Sequence, residues 1–190
     1  MRRPVSAAIL GACMLLAGCG TVAPRSHVPS QAALQRELAG SPQPLKRIHA
    51  QAGQLLLGGA GAFKARLRVL HGYPVVVNVW ASWCGPCRQE FPLFQVASAR
   101  LGRRVAFLGI DTLDSSAEAR AFLAKLPVAY PSYDDHDGKI AHAIDASIGV
   151  PVTAFYSSRG KLDYLHAGAY PTLAKLEHDI QLYAISAQHP

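Results

Sequence analysis

Val75-Val76-Val77-Asn78-Val79-Trp80-Ala81-Ser82-Trp83-Cys84-Gly85-Pro86-Cys87 sets two thiols three positions apart, directly behind a run of β-branched and apolar residues. Val75 to Trp80 has the near-continuous apolar character of a strand buried on both faces. From Arg88 to Leu101 the period changes, with Phe91, Phe94, Ser98 and Leu101 three or four apart, as along one face of a helix. The cysteines therefore stand where a strand hands over to a helix. The first-turn N–H groups of a helix have no intrahelical acceptors, and with the macrodipole they favour a nearby anion. A thiolate is such an anion. Cys84, nearest the helix end, is expected to be the attacking thiol, and Cys87, one turn further in, the thiol that resolves a mixed disulfide. Half of a zinc site has the same spacing, but a tetrahedral site needs four ligands. No second close cysteine pair exists, and His136, His142 and His166 share no turn or helix face, so no metal is expected.

The chain of 190 residues is half apolar and 16% charged, which suits one domain with a sizeable core plus extensions. Four cysteines are too few and too unevenly placed for a disulfide framework, so the fold must rest on its core. The N-terminus starts with Arg2 and Arg3 and continues as an apolar segment from Val5 to Ala17, too short to span a bilayer but suited to a signal peptide. Leu16-Ala17-Gly18-Cys19 resembles the lipobox of bacterial lipoproteins, which implies cleavage before Cys19 and acylation of that cysteine. The expected organisation is a lipoprotein signal peptide over 1–18, a lipid-anchored flexible tether over 19–47 and a folded domain over 48–190. Pro24, Pro29, Pro42 and Pro44 punctuate the tether, and only Ser30 to Leu38 has a helical pattern. As a coil it would reach roughly 30 Å from the membrane. Loss of Arg2 and Arg3 lowers the formal charge from +7 to +5, and no basic run exceeds two residues, so a nucleic-acid partner is not expected.

From Ile48 the pattern is globular. Leu55 to Leu57 is a short strand candidate, and Phe63, Leu67 and Leu70 fall on one helical face. After the redox helix, Val105 to Ile110 is a second apolar strand, and Ser115-Ser116-Ala117-Glu118 has the form of a capping box opening a helix that Pro127 closes. This β-α-β-α order implies parallel pairing with right-handed crossovers. Lys139 to Ser147 reads as a helix stopped by Gly149, and the following strand begins at Pro151, since proline donates no ladder bond. A turn over 157–160 returns the chain antiparallel along Lys161 to His166. A last helix carries Leu173, Leu176, Ile180 and Tyr183 on one stripe, so the sheet is mixed.

Trp83-Cys84-Gly85-Pro86-Cys87-Arg88-Gln89-Glu90-Phe91-Pro92, with Gly149-Val150-Pro151 downstream, resembles the thioredoxin superfamily, in particular its extracytoplasmic TlpA/ResA-like branch, over about Ala52 to Tyr183. The resemblance implies a thioredoxin-like α/β fold, a central mixed sheet flanked by helices on both faces in three α/β/α layers. It implies that Cys84 attacks, that Cys87 resolves, and that Val150-Pro151 is a cis peptide facing them. Trp83, Gly85, Pro86, Val150 and Pro151 would then form the surface that a partner chain meets, pairing with backbone beside the proline. The resemblance also implies that Glu90 matches a glutamate implicated in thiol acid-base behaviour in ResA-like proteins, where a carboxylate would raise a thiol pKa and could accept a proton. Asn78 stands where cytoplasmic thioredoxins carry a buried aspartate, so their proton shuttle does not transfer to it. Pro92 resembles the family's kink in the redox helix, Asp134-Asp135-His136-Asp137-Gly138 its acidic turn before a helix, and Trp80 reads as core.

The function these readings imply is a membrane-anchored, extracytoplasmic thiol-disulfide oxidoreductase of the bacterial envelope, monomeric and without a cofactor beyond its own dithiol. It would exchange disulfides with exported proteins, as a reductant fed by a membrane thiol donor, apocytochrome c cysteines being the family's precedent for a client. Two other classes compete. A thiol peroxidase of the peroxiredoxin type would need Thr or Ser three residues before the reacting cysteine, where this chain has Ala81. An envelope copper or zinc binder of this fold would want one more residue between the cysteines.

Overall fold

The computed structural model describes residues 31–187. Two short helices, α1 (Gln31–Glu37) and α2 (Gln43–His49), come first. They are followed by β1 (Leu55–Leu56), α3 (Gly59–Val69), β2 (Val75–Trp80), α4 (Gly85–Leu101), β3 (Ala106–Thr112) and α5 (Ser116–Lys125). The chain ends with β4 (Ser132–Asp135), α6 (Lys139–His142), β5 (Val152–Tyr156), β6 (Leu162–Ala167) and α7 (Leu173–Asp179), which runs on into a π-helical turn over Ile180–Ile185. The strands form one sheet in the order β1-β4-β3-β2-β5-β6. β1 to β4, β4 to β3 and β3 to β2 are parallel, and β5 and β6 add antiparallel, so the sheet is mixed.

Strand register separates the two faces, because alternate side chains leave a strand on opposite sides. Trp80 pairs with Asp111, which pairs with Asp134, and these side chains share one face with Asn78. Val79, Ile110 and Tyr133 take the other. On the first face Trp80 meets Phe91 of α4 and Phe122 of α5 at 5.1 and 5.0 Å between ring centroids, so both crossover helices cover that side. On the second, Phe63 of α3 packs edge-on against Tyr133 at 5.3 Å. β2 is buried along its whole length, as an apolar strand between two helical layers must be. Gly109 leaves room for the Trp80 indole to cross β3 and donate to Ser132 Oγ at 3.1 Å. A Cβ on Gly109 would lie 2.1 Å from that hydroxyl oxygen.

Several expectations need correction. The boundary between tether and domain does not fall after Arg47. α2 runs across it, and Leu45 and Ile48 are buried in the core, because two apolar side chains three apart on one helical face bury more surface than a coil would. Asp134 and Asp135 are not turn residues but the end of β4, a strand without an apolar run of its own that lies between β3 and β1. The helix expected over Lys139–Ser147 stops at His142, and Asp145 takes a positive φ of 59°. Ser115 sits at the N-cap of α5, yet its hydroxyl caps nothing; its own amide donates to Asp114 Oδ1 instead. The signal peptide over 1–18 and Cys19 lie outside the described residues.

Candidate active site

Trp80 ends β2, and after Ala81, Ser82 and Trp83 the chain enters α4 with Cys84 at its N-cap. Cys84 and Cys87 form a disulfide, their Cα atoms 5.3 Å apart. Cys84 Sγ accepts from the Cys87 amide at 3.1 Å, so the sulfur occupies the place a capping oxygen would take at the head of a 17-residue helix. The same amide and the helix dipole would stabilise a thiolate once the disulfide is reduced. Cys84 is 3% exposed and Cys87 fully buried. The order of accessibility is the one expected, but only a corner of Cys84 meets solvent, so a client must dock closely to be attacked.

Gly85 and Pro86 form the exposed rim above the sulfurs, and Trp83 beside them is 60% exposed. The Trp83 indole is held by a hydrogen bond to the Leu113 carbonyl at 3.1 Å. Val150–Pro151 is cis, and the ladder between β2 and β5 ends at Val79–Val152, so residues 149–151 lie beyond the paired strand. Trp83, Leu113, Gly149 and Val150 line one apolar cavity of about 120 Å³. The structure therefore brings Trp83, the residue before Cys84, and Val150 to one cavity, with Pro151 directly before β5.

Glu90 is fully buried on the α4 turn after Cys87. It is not the exposed helix residue its neighbours Arg88 and Gln89 are. Its Oε1 accepts from Asn78 Nδ2 at 2.8 Å, and its Oε2 from the Tyr170 amide at 3.0 Å. Burial pushes its carboxyl up to about 7, against the downward pull of those two hydrogen bonds. Asn78 thus serves as a buried partner for Glu90, and Asn78 Oδ1 has no donor facing it. The segment that supplies the Tyr170 amide is itself pinned: the Tyr170 hydroxyl donates to Asp179 Oδ2 at 3.0 Å, Lys175 Nζ donates to Asp179 Oδ1, and His166 stacks on the ring. Neither Tyr170 nor the residues from Asp111 to Asp114 stood out in the sequence. Tyr170 lies 80 residues from Glu90 and engages it through backbone, which leaves no side-chain signal to read.

Residues 52–165 match the family model described as the AhpC/TSA family. The chain is 33% identical over 137 residues to the thiol:disulfide interchange protein DsbE of Escherichia coli (strain K12), covering 71% of this chain and 68% of that protein. Among solved structures it is similar to MTB DsbF in its mixed oxidised and reduced forms, at 27% identity and a TM-score of 0.56 over 60% of this chain and 84% of that one. It is also similar to a secreted Mycobacterium tuberculosis disulfide oxidoreductase homologous to E. coli DsbE, at 28% identity and a TM-score of 0.51 over 60% and 85% of the two chains.

Proposed function

Since the chain belongs to the AhpC/TSA family and is a thioredoxin-like thiol-disulfide oxidoreductase, we propose that it works outside the cytoplasm as a lipid-anchored reductant of disulfides in exported proteins. The observation that carries this reading is the Cys84–Cys87 pair at the head of α4, with Cys84 Sγ on the Cys87 amide. In the reduced protein the Cys84 thiolate attacks one sulfur of a client disulfide. A Cys84–client bond forms, and the second client sulfur leaves as a thiolate. The Cys87 thiolate then attacks Cys84 Sγ, closes the intramolecular disulfide and releases the client as a dithiol. Two electrons pass to the client, and a membrane dithiol donor restores the pair.

The reacting surface is Trp83, Gly85, Pro86, Val150 and Pro151. A client strand would lie along residues 149–151, where the β2–β5 ladder has ended, and lend its backbone to pairing. Glu90 is the acid-base group for the buried Cys87. Gly85-Pro86 between the cysteines favours the reducing direction, and the family precedent makes the cysteines of exported apocytochromes c the client class. Ala81 argues against peroxide as the substrate, since it offers no hydroxyl to hold one.

The reduction potential of the pair, measured against glutathione or dithiothreitol, tests the direction. A value near the −270 mV typical of thioredoxin is expected, and one near the −120 mV of DsbA would make the protein an oxidant. Anchoring has a separate test. Cys19→Ala should move the protein from the membrane fraction to the soluble fraction of the expressing cell, and continued attachment would remove Cys19 as the lipid site.

A further inference from the structure

Asp111 lies in β3 on the Trp80 side of the sheet and is 1% exposed. Neither of its carboxyl oxygens receives a hydrogen bond from any described N–H or O–H group. Across the sheet its register partners are Trp80 on one side and Asp134 on the other. The Asp114 side chain lies within hydrogen-bond reach of the Asp111 carboxyl and holds the active-site loop: Asp114 Oδ2 accepts from the Ser82 amide at 2.5 Å, and Oδ1 from the Ser115 amide at 2.7 Å. Between the two aspartates, Leu113 has a φ of 53°, a left-handed conformation unusual for a leucine, and its carbonyl accepts from the Trp83 indole. Two consecutive residues before Cys84, Ser82 and Trp83, are therefore fastened to residues 113 and 114.

A buried carboxylate with no donor, set against a second carboxylate, is costly unless a proton lies between them. Burial pushes Asp114 up, but the amides of Ser82 and Ser115 outweigh it and hold that carboxyl below its ordinary range. Asp111 has no such amides. Burial first, and then the charges of Asp114, Asp134 and Asp135, raise it to about 8. On β4, Asp135 is already engaged by the Ile140 and Ala141 amides and the Thr112 hydroxyl, and Asp134 by the Ser116 hydroxyl, with His136 3.7 Å from its other oxygen. Arg88 of α4 and Glu118 and Lys125 of α5 rim the cleft that Asp114 lines. Among the described residues, no group of three or more His, Cys, Asp or Glu side chains is disposed to hold a metal ion.

We propose that Asp111 is a positioning residue for the reacting disulfide: carrying a proton, it donates to Asp114, and the pair clasps the Ser82–Trp83 loop that presents Cys84. Loss of that proton sets two carboxylates against each other and releases the loop. The clasp is closed in neutral and acidic conditions and opens in alkali. The consequence for exchange rests on the Cys84–Cys87 reading above, whereas the clasp itself can be observed in a protein that exchanges nothing.

The test uses the oxidised full chain, in which no active-site thiol titrates, labelled for carboxyl and amide resonances. The Asp111 carboxyl is expected to titrate with a midpoint near 8, and the Ser82 amide and Trp83 indole N–H resonances to move with the same midpoint. In Asp111→Asn, whose amide donates at every pH, both N–H resonances should keep their low-pH positions throughout. The rate of reduction by dithiothreitol, expressed per thiolate, should coincide for the two proteins at neutral pH and diverge in alkali. An Asp111 carboxyl titrating in the ordinary range would overturn the proposal from the unsubstituted protein alone. Loop resonances that still move in Asp111→Asn, or superimposed rate profiles, would overturn it as well.

Discussion

Cys84→Ser should reduce the catalysed reduction of insulin disulfides at least about a thousandfold, to the background set by the thiol reagent, because a hydroxyl at the α4 N-cap cannot ionise to a nucleophile at neutral pH. The fold should survive, since serine is itself a favoured N-cap residue and its oxygen can accept from the Cys87 amide as the sulfur does. Cys87→Ser should behave differently. It keeps the attacking thiol and removes the resolving one, so the protein should accumulate as a mixed disulfide with its client, visible as a mass increase that dithiothreitol reverses. Normal turnover by Cys84→Ser would sink the mechanism. Trapping by Cys84→Ser and not by Cys87→Ser would reverse the two roles. Because only 3% of Cys84 is exposed, attack by a folded client should be slower than attack by an extended one at the same thiol pKa.

The sequence was most legible where one physical constraint dominated. β2 was read to the residue, because a strand covered on both faces must be apolar throughout, and so was the end of α4. The cis bond before Pro151 followed from the resemblance, which carried backbone geometry that composition cannot. β4 escaped because Ser132–Asp135 has two aspartates in four residues; Asp134 accepts from the Ser116 hydroxyl, and Asp135 from Thr112 and the α6 amides, contacts that have no sequence pattern. α2 was hidden by prolines. Pro42 and Pro44 read as breakers, but they stand at the N-cap and in the first turn, where a missing N–H costs nothing. In the site, the thiols were visible from residue type and spacing, whereas the rim of Trp83, Val150 and Pro151 came from the resemblance. What was not visible is how Glu90 is held, because half of its environment is the Tyr170 backbone.

Asn78 explains how one buried site can serve Glu90 in both protonation states. An amide offers a donor and an acceptor on one group. Asn78 Nδ2 donates to the carboxylate, and Asn78 Oδ1, which has no donor of its own, can turn to accept from the carboxylic acid. An aspartate there could satisfy only the protonated form, and two buried carboxyls would compete for one proton. The asparagine therefore offers Glu90 a partner in either protonation state, one turn along α4 from the buried Cys87.

Glu90→Gln should then alter stability and thiol chemistry together. Folding moves the Glu90 carboxyl from 4.5 to about 7, so between those values the folded protein keeps a proton that the unfolded chain has released. Stability must fall as pH rises across that window, by about 3 kcal/mol if the whole displacement is realised. A glutamine keeps the acceptor for the Tyr170 amide and, with Asn78 turned, a donor-acceptor pair with that side chain, but it has no proton to lose. Denaturant titrations at about pH 4 and pH 8 should show the native protein losing about 3 kcal/mol more than the variant, which makes the variant the more stable of the two in alkali. In the reduced protein the thiol titration should move down, because a carboxylate that opposed the Cys87 thiolate is gone, and the inflection near pH 7 in the rate of mixed-disulfide resolution should disappear. Parallel stability profiles would mean that folding leaves the Glu90 carboxyl in its ordinary range. A changed stability profile with an unchanged thiol titration would leave Glu90 a buried structural acid, out of electrostatic reach of the sulfur it was expected to serve.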